Sequence, residues 1–471
     1  MCTRDGGMTA RAPNDRLARL MAQAGFTSHK AFARADMDES RSAGQPLTRC
    51  DHTYVARWLE GMKPRGKTPT FIAAALGRKL GRPVTLAEIG MATAANVLPA
   101  DLGMTYPETL DTGAESLAHL WHADLDGATL LVKGQVDPDA WNQATLRWLI
   151  NPDVPFANRR TVGPKIGISD VERFRATADM FVQLDNRFGG GHARQSLIQY
   201  LASDGERMLR GQHAEPVRKA LFSAVAEATL LAAWMSYDSA LHGLAQRYFI
   251  QALSLAQAGD DRLLAASILD AMSHQATFVG RFQDAANLAR AARSGTQGVA
   301  TPTLSAHFYA MEARALARLG DARACDLALS EAVRAFERRN TENDPEWIRY
   351  FDDAELSAEF GHCFRDLGRS VDASLYANQC LGTIDDGVYL RSDFFATMVL
   401  ADAHLGAGEV ERACSVALDA LTLGEQLRSA RCVSYLREFR QRLAGIGHTA
   451  VVSDFREQAE VSRLWRIAST P

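Results

Sequence analysis

One short motif, G-x4-A-x3-(A/L)-x2-(A/C), recurs at nearly constant spacing and limits what this chain can become. GRFQDAANLARAA begins at Gly280, GDARACDLALSEA at Gly320 with Cys325 in the first Ala position, GRSVDASLYANQC at Gly368 and GEVERACSVALDA at Gly408. An earlier copy lacks the glycine but keeps Ala245, Phe249 and Ala252. The small residues Ala245, Ala285, Cys325, Ala373 and Ala413 are then 40, 40, 48 and 40 residues apart, and the eight-residue excess coincides with the helix-breaking NTENDPEW at 340–347. A glycine supplies the left-handed turn between two helices, and a small residue after it lets those helices approach closely. A pair of this kind cannot bury its apolar face alone, so successive pairs stack. A period near 40 built from such pairs predicts an α-solenoid.

The rest of the chain agrees with an all-α class. Ala-rich amphipathic runs dominate, and only ATLLVK at 128–133 could pass for a strand. With 471 residues, 47% hydrophobic and 23% charged, a large core is available and wholesale disorder is excluded. Five regions are expected: 1–95, a bundle of five short helices; 96–165, a Pro- and Gly-punctuated, mostly helical linker; 166–216, a helical hairpin hinged at Gly189-Gly190-Gly191; 217–445, about five repeats; and 446–471, a tail ending in a helix over 453–467. The three glycines lack the spacing and the following Lys-Ser/Thr of a phosphate loop, so they read as a tight hinge or a close backbone crossing, with His192 and Arg194 structural.

Charge is unevenly placed. Residues 1–95 carry a net +7 and the remainder −11, a basic head on an acidic body. The seven cysteines show no CxxC or zinc-type spacing and read as small buried residues of a reducing compartment. The opening residues contain no apolar leader, and the most apolar stretch, 221–235, carries Glu227 and is too short to span a bilayer. A cytoplasmic protein with no membrane contact is expected.

The repeat motif resembles the tetratricopeptide repeat, including the bulky-small pairs Met272-Ser273 and Phe360-Gly361 of the first helices. The resemblance implies that inner positions of the first helices line a concave groove. These are Trp234 and Tyr237; Asp270, His274 and Thr277; His307 and Arg314; Glu355, His362 and Arg365; and Phe395, Met398 and Asp402. Three histidines and opposed charges on one wall suit a peptide, a polar small molecule or a protein ligand.

In the head, Asn14 or Asp15 caps a first helix that Gly25 stops, and Thr27 or Ser28 opens a second. Asp51 caps a third, whose Tyr54, Val55, Trp58 and Leu59 bury before Gly61 and Pro64 end it. TPTFIAAALGRKLG is a fourth helix and TLAEIGM a short fifth. The run Tyr54 to Pro64, with Ile72-Ala73-Ala74-Ala75-Leu76 and Leu86-Ala87-Glu88-Ile89, resembles the lambda-repressor-like (XRE-type) helix-turn-helix domain. The resemblance implies that the third helix enters the major groove of double-stranded DNA. Arg49, His52, Thr53 and Arg57 would face the bases, with Arg57 bidentate to guanine, and Lys63, Arg65 and Lys67 would meet phosphates. The chain departs from compact relatives by about a dozen extra residues within ADMDESRSAGQPLTRC, which carry Asp36, Asp38 and Glu39, carboxylates that DNA would repel.

The two parts together are similar to actinobacterial regulators that join such a head to a tetratricopeptide-like body. The expectation is a sequence-specific transcriptional regulator, homodimeric, reading half-sites about 34 Å apart. The alternative is a repeat scaffold acting through protein contacts. No HExxH, nucleotide loop or nucleophile elbow is present, and His119 with His122 lacks a third ligand, so no catalytic residue, metal or cofactor is assigned.

Overall fold

The computed structural model describes residues 13–42, 50–64, 68–80, 82, 84, 86, 88–91, 98–150, 163–382, 389–447 and 449–470. The fold is all-α, with no strand among the described residues and helices packed in consecutive pairs. The chain forms two compact units, Met1–Ala100 and Asp101–Pro471, so the linker and hairpin segments expected at 96–165 and 166–216 fold largely with the repeats.

The first unit holds α1 (Asp15–Gln23), α2 (His29–Ser42), α3 (His52–Leu59) and α4 (Thr68–Leu80). Asn14 caps α1 by accepting the Leu17 amide, and the Ser28 hydroxyl accepts the Ala31 amide at the start of α2. Gly25 and Gly61 take φ of 73° and 89°, the left-handed values that let the chain turn out of α1 and α3. Leu17, Phe32, Val55, Ile72, Leu76 and Ile89 are wholly buried and form the centre of the bundle. The expected fifth helix falls where 85 and 87 lie outside the described residues and 88–90 form a turn.

The first part of the acidic insert lengthens α2 to Ser42. Asp36 and Ser40 are buried, and Glu39 pairs with Arg78 of α4 at 2.8 Å. Asp38 pairs with Arg41 at 3.0 Å. Burial, eased by a hydrogen bond from Cys50, lifts the Asp36 carboxyl to about 6.

The second unit opens with α5 (Leu110–Leu125), α6 (Thr129–Val132) and α7 (Pro138–Ile150), so the one strand-like stretch is helical. α8 (Ile168–Phe188) leads through the three glycines to α9 (Arg194–Tyr200), which runs on through a π-turn, Leu201–Gly205, into α10 (Glu206–Leu209). Five pairs follow: α11 (Glu215–Asp238) with α12 (His242–Ala258), α13 (Arg262–Phe278) with α14 (Phe282–Gly295), α15 (Pro302–Leu319) with α16 (Ala322–Phe336), α17 (Asp353–Asp366) with α18 (Ser370–Leu381), and α19 (Leu390–Gly406) with α20 (Val410–Gly424). α21 (Ala430–Ala444), α22 (Ala450–Ala459) and α23 (Arg463–Ser469) close the chain. The single tail helix expected over 453–467 is two helices. α22 packs on α20 and α23 on α21, and Phe455 meets Trp465 edge-on at 5.2 Å across the break. α11 is long and apolar enough to cross a membrane by composition, but 78% of its most apolar window is buried within the array.

The repeat signature maps directly onto this packing. Ala245, Ala285, Cys325, Ala373 and Ala413 are each 0% exposed. Gly280, Gly320, Gly368 and Gly408 hold φ between 71° and 81° at the turns inside their pairs. The eight-residue excess folds as two 3-10 turns, Thr341–Asn343 and Glu346–Ile348. In the copy without a glycine, Ala240 occupies the turn at φ 61°, a conformation in which its Cβ crowds the following carbonyl. Ala240→Gly is therefore expected to stabilise the protein by about 1 kcal/mol, read as a higher urea midpoint. An unchanged or lower midpoint would mean that this turn carries no strain.

α8 and the loop before α21 join the first pair to the last. Asp185 of α8 binds Arg391 of α19 at 2.8 Å, and Arg391 lies 3.6 Å from Asp238 at the end of α11. Asp238 accepts hydrogen bonds from the Gly190 amide and the Ser429 hydroxyl, both at 2.8 Å. The Gly191 amide donates to the Arg428 carbonyl at 2.9 Å, and the Arg428 amide to the Phe188 carbonyl at 2.7 Å. The glycines are needed here because backbone crosses backbone. A Cβ at Gly190 would stand 2.8 Å from Met235 Cα, and one at Gly191 2.8 Å from the Arg428 carbonyl oxygen. Arg194 serves the same unit, pairing with buried Asp124 at 2.6 Å.

Candidate functional site: an exposed cationic helix and a lined lumen

Asp51 starts α3 by accepting the Thr53 and Tyr54 amides. Val55 (0% exposed) and Trp58 (2%) turn inward, which leaves His52, Thr53 and Arg57 exposed on the opposite side. Trp58 is thus a core residue. Arg57 forms no ion pair among the described residues and leans over the Tyr54 ring at 5.9 Å, so its guanidinium is available to an external acceptor. Lys63 is exposed beyond the helix end. Arg49, Arg65 and Lys67 lie outside the described residues.

Two further features bear on α3. The Thr53 hydroxyl donates to Asp51 at 2.5 Å, so its proton is spent on the cap. The Asp51 carboxyl is held below its ordinary value by the hydroxyl and amide of Thr53 and stays ionised and fully exposed at the head of the helix. His52 and Arg57 are left as the exposed polar side chains of α3 outside that cap.

In the second unit, four of the thirteen expected inner-wall residues, His274, Thr277, Arg314 and Arg365, line one cleft, and several of the thirteen are bonded to neighbours within the array. The Tyr237 hydroxyl meets His274 Nδ1 at 3.1 Å, and the Trp234 ring stands 5.3 Å from the same imidazole. Asp270, 0% exposed, pairs with His307 Nδ1, whose Nε2 meets the Tyr350 hydroxyl at 3.2 Å. The Thr277 hydroxyl donates to the Ser273 carbonyl at 3.0 Å. Arg314 binds Glu359 at 2.6 Å. Arg365 binds Asp366 at 2.8 Å and lies 3.8 Å from Asp402, which also pairs with Arg442. Phe395 (7%), Met398 (0%) and Asp402 (7%) are buried rather than presented to a groove.

The physical reason is α21. Arg431 places its guanidinium over Tyr237 at 4.8 Å and Phe395 at 4.5 Å, bridging the first and fifth pairs. Tyr435 reaches His362, with ring centroids 5.8 Å apart, and lies under Arg365 at 5.2 Å. The wall is therefore a pinched lumen and not a continuous open groove. What remains is a small cleft lined by residues of α13, α15, α17 and α21.

Electrostatics inside the lumen follow from burial and crowded arginines. Burial, reinforced by Arg431 and Arg314, holds His274 well below its ordinary pKa, and burial with Arg314 and Arg365 does the same to His362. Burial beside Glu359 lifts the Glu355 carboxyl to about 7. Glu359, Arg391, Arg431 and Tyr435 escaped the sequence reading. The stripe Arg431, Tyr435, Glu438, Arg442, at helical spacing with one apolar-aromatic member, was the signal that could have placed α21 on the wall. His122, whose ring suggested half of a metal pair, instead hydrogen-bonds Glu206 at 2.8 Å.

Residues 17–92 match the family described as SP15 N-terminal domain, a stretch that lies within the first unit and leaves the repeats uncovered. No curated protein matches the chain.

Proposed function

We propose that the chain is a cytoplasmic DNA-binding transcriptional regulator that lays α3 in the major groove and uses its repeat unit for dimerisation or partner contacts. The observation that carries this reading is the division of α3. Val55 and Trp58 seat it in the core, while His52, Arg57 and the trailing Lys63 are exposed on a segment of net charge +7. The ion pairs of Glu39 with Arg78 and Asp38 with Arg41 favour the reading further, because they neutralise two carboxylates of the insert that would otherwise repel phosphates.

The test is equilibrium binding of the full chain to duplex DNA, followed by fluorescence anisotropy across a salt series. Log K should fall linearly with log salt, with a slope of about −0.9 for each phosphate neutralised. Lys63→Ala should make the slope shallower by about 1 at every sequence, while Arg57→Ala should cost about 1–3 kcal/mol on a preferred sequence and little on others. Absence of binding at low salt, or identical curves for both variants, would overturn the reading.

A scaffold role is the second reading, and the exposed ionised Asp51 at the head of α3 favours it. A stoichiometric protein partner, captured without DNA, would decide for the scaffold.

A further inference from the structure

We propose that the cleft between α13, α15, α17 and α21 binds a compact oxyanion, either inorganic phosphate or a phosphate monoester. Three guanidiniums line it: Arg314 and Arg318, one turn apart on α15, and Arg365 on α17. Planar guanidinium forks arriving from two helices suit a tetrahedral anion, which can accept pairs of hydrogen bonds on different edges.

The donors present are not used up by the protein. Arg314 is 8% exposed, and its Nε makes no hydrogen bond among the described residues; nor does the buried Nη1 of Arg365, which stands 3.8 Å from Asp402, beyond hydrogen-bond reach. A buried donor without an acceptor is destabilising, so these atoms favour a ligand that accepts from them. The Tyr435 hydroxyl, also on the lining, makes no hydrogen bond among the described residues. With Tyr237 bonded at His274 Nδ1, the ring's Nε2 is left as a further polar group of the same wall.

Four carboxylates stand nearby, and each pairs with an arginine. Glu359 is taken by Arg314, Asp366 binds Arg365 at 2.8 Å and stands 3.7 Å from Arg318, and Asp402 and Glu438, the latter on the lining, both pair with Arg442. Arg431, 8% exposed, forms no ion pair among the described residues and rests only on aromatic faces. The depressed pKa values of His274 and His362, caused by burial and then by these arginines, fit a positive field at the cleft.

Size selects the occupant. Arg431 and Tyr435 cross from α21 to α11, α17 and α19, so an extended peptide would have to displace that helix. A phosphate or a small phosphate ester enters without doing so. The inference concerns the repeat unit alone, so it stands or falls independently of DNA binding.

The experiment is isothermal titration calorimetry of the full chain in a phosphate-free buffer at constant ionic strength. The probes are inorganic phosphate and glycerol 3-phosphate, with sodium chloride as the blank. Saturable one-to-one binding of at least one probe is expected, and the tighter of the two identifies free phosphate or an ester as the ligand. Arg318→Gln and Tyr435→Phe should each weaken it about tenfold, while Arg334→Gln, on the outer face, should leave it unchanged. Should Arg318→Gln fail to fold, Tyr435→Phe, which removes only a hydroxyl, decides alone. No saturable binding of either probe, or binding that neither lumen variant weakens, would overturn the proposal.

Discussion

Arg391→Ala is expected to destabilise the repeat unit by about 3–5 kcal/mol, the cost of leaving buried charge without its counter-ion. Arg391 is the cation that pairs with both Asp185 and Asp238, whose side chains are 5% and 1% exposed, and these three residues tie α8, α19 and α11 together. Burial already pushes the Asp185 carboxyl above its ordinary value against the pull of Arg391. Without Arg391 the folded-state pKa rises further above the unfolded value of about 3.9. A carboxyl raised in the fold opposes folding increasingly as pH climbs past the unfolded value. The variant's deficit should therefore be smallest near pH 4 and grow toward neutrality. Urea denaturation at pH 4.5 and 7.5, followed by far-UV circular dichroism, reads both statements. Equal midpoints for parent and variant at pH 7.5 would show that the first and last pairs are not held together by this cluster.

Gly190→Ala tests the same junction through sterics and should cost about 3 kcal/mol. The new Cβ would stand 2.8 Å from Met235 Cα, from the Met235 carbonyl oxygen and from Asp238 Cβ. Two of those atoms are backbone within a 24-residue helix, so no side-chain rotation relieves the clash, and the loop must lift. Lifting it breaks the Gly190 amide's bond to Asp238 and the Gly191 amide's bond to the Arg428 carbonyl. Because both variants open one junction, the double variant should lose less than the sum of the two. Full additivity, or a harmless Gly190→Ala, would contradict the backbone-crossing account.

The array was legible in sequence because each of its devices is local. A left-handed glycine followed five residues later by a small residue repeats at Gly280, Gly320, Gly368 and Gly408, and each small residue is fully buried. Even the missing glycine left its mark, as Ala240 was forced to φ 61°. The closure of the array was not legible. It rests on single residues far apart in the chain, such as Ser429 and Asp238, that carry no periodicity. The same is true of the lumen. Tetratricopeptide-like spacing placed Tyr237, His274, Arg314 and His362 on one wall, but α21, which fills that wall with Arg431 and Tyr435, sits after the last glycine-marked pair. In the head, cap and stop residues fixed α1 and α3, whereas the insert's course depended on Asp36 and Ser40 burying and on Glu39 reaching Arg78. A carboxylate in a loop-like stretch gives no local sign that it will bury.

Two properties of α3 now bear on function in opposite directions. Under the proposed reading the exposed Arg57, which forms no ion pair among the described residues, would suit a base edge, and the ionised Asp51 at the head of the helix would resist an approaching phosphate. Selection from a random-sequence duplex pool by the full chain weighs them directly. An enriched sequence containing a guanine is expected, and the preference for that base should disappear in Arg57→Ala while the remaining positions stay enriched. A pool that emerges unenriched, or one enriched identically by the parent and Arg57→Ala, would contradict the proposed reading.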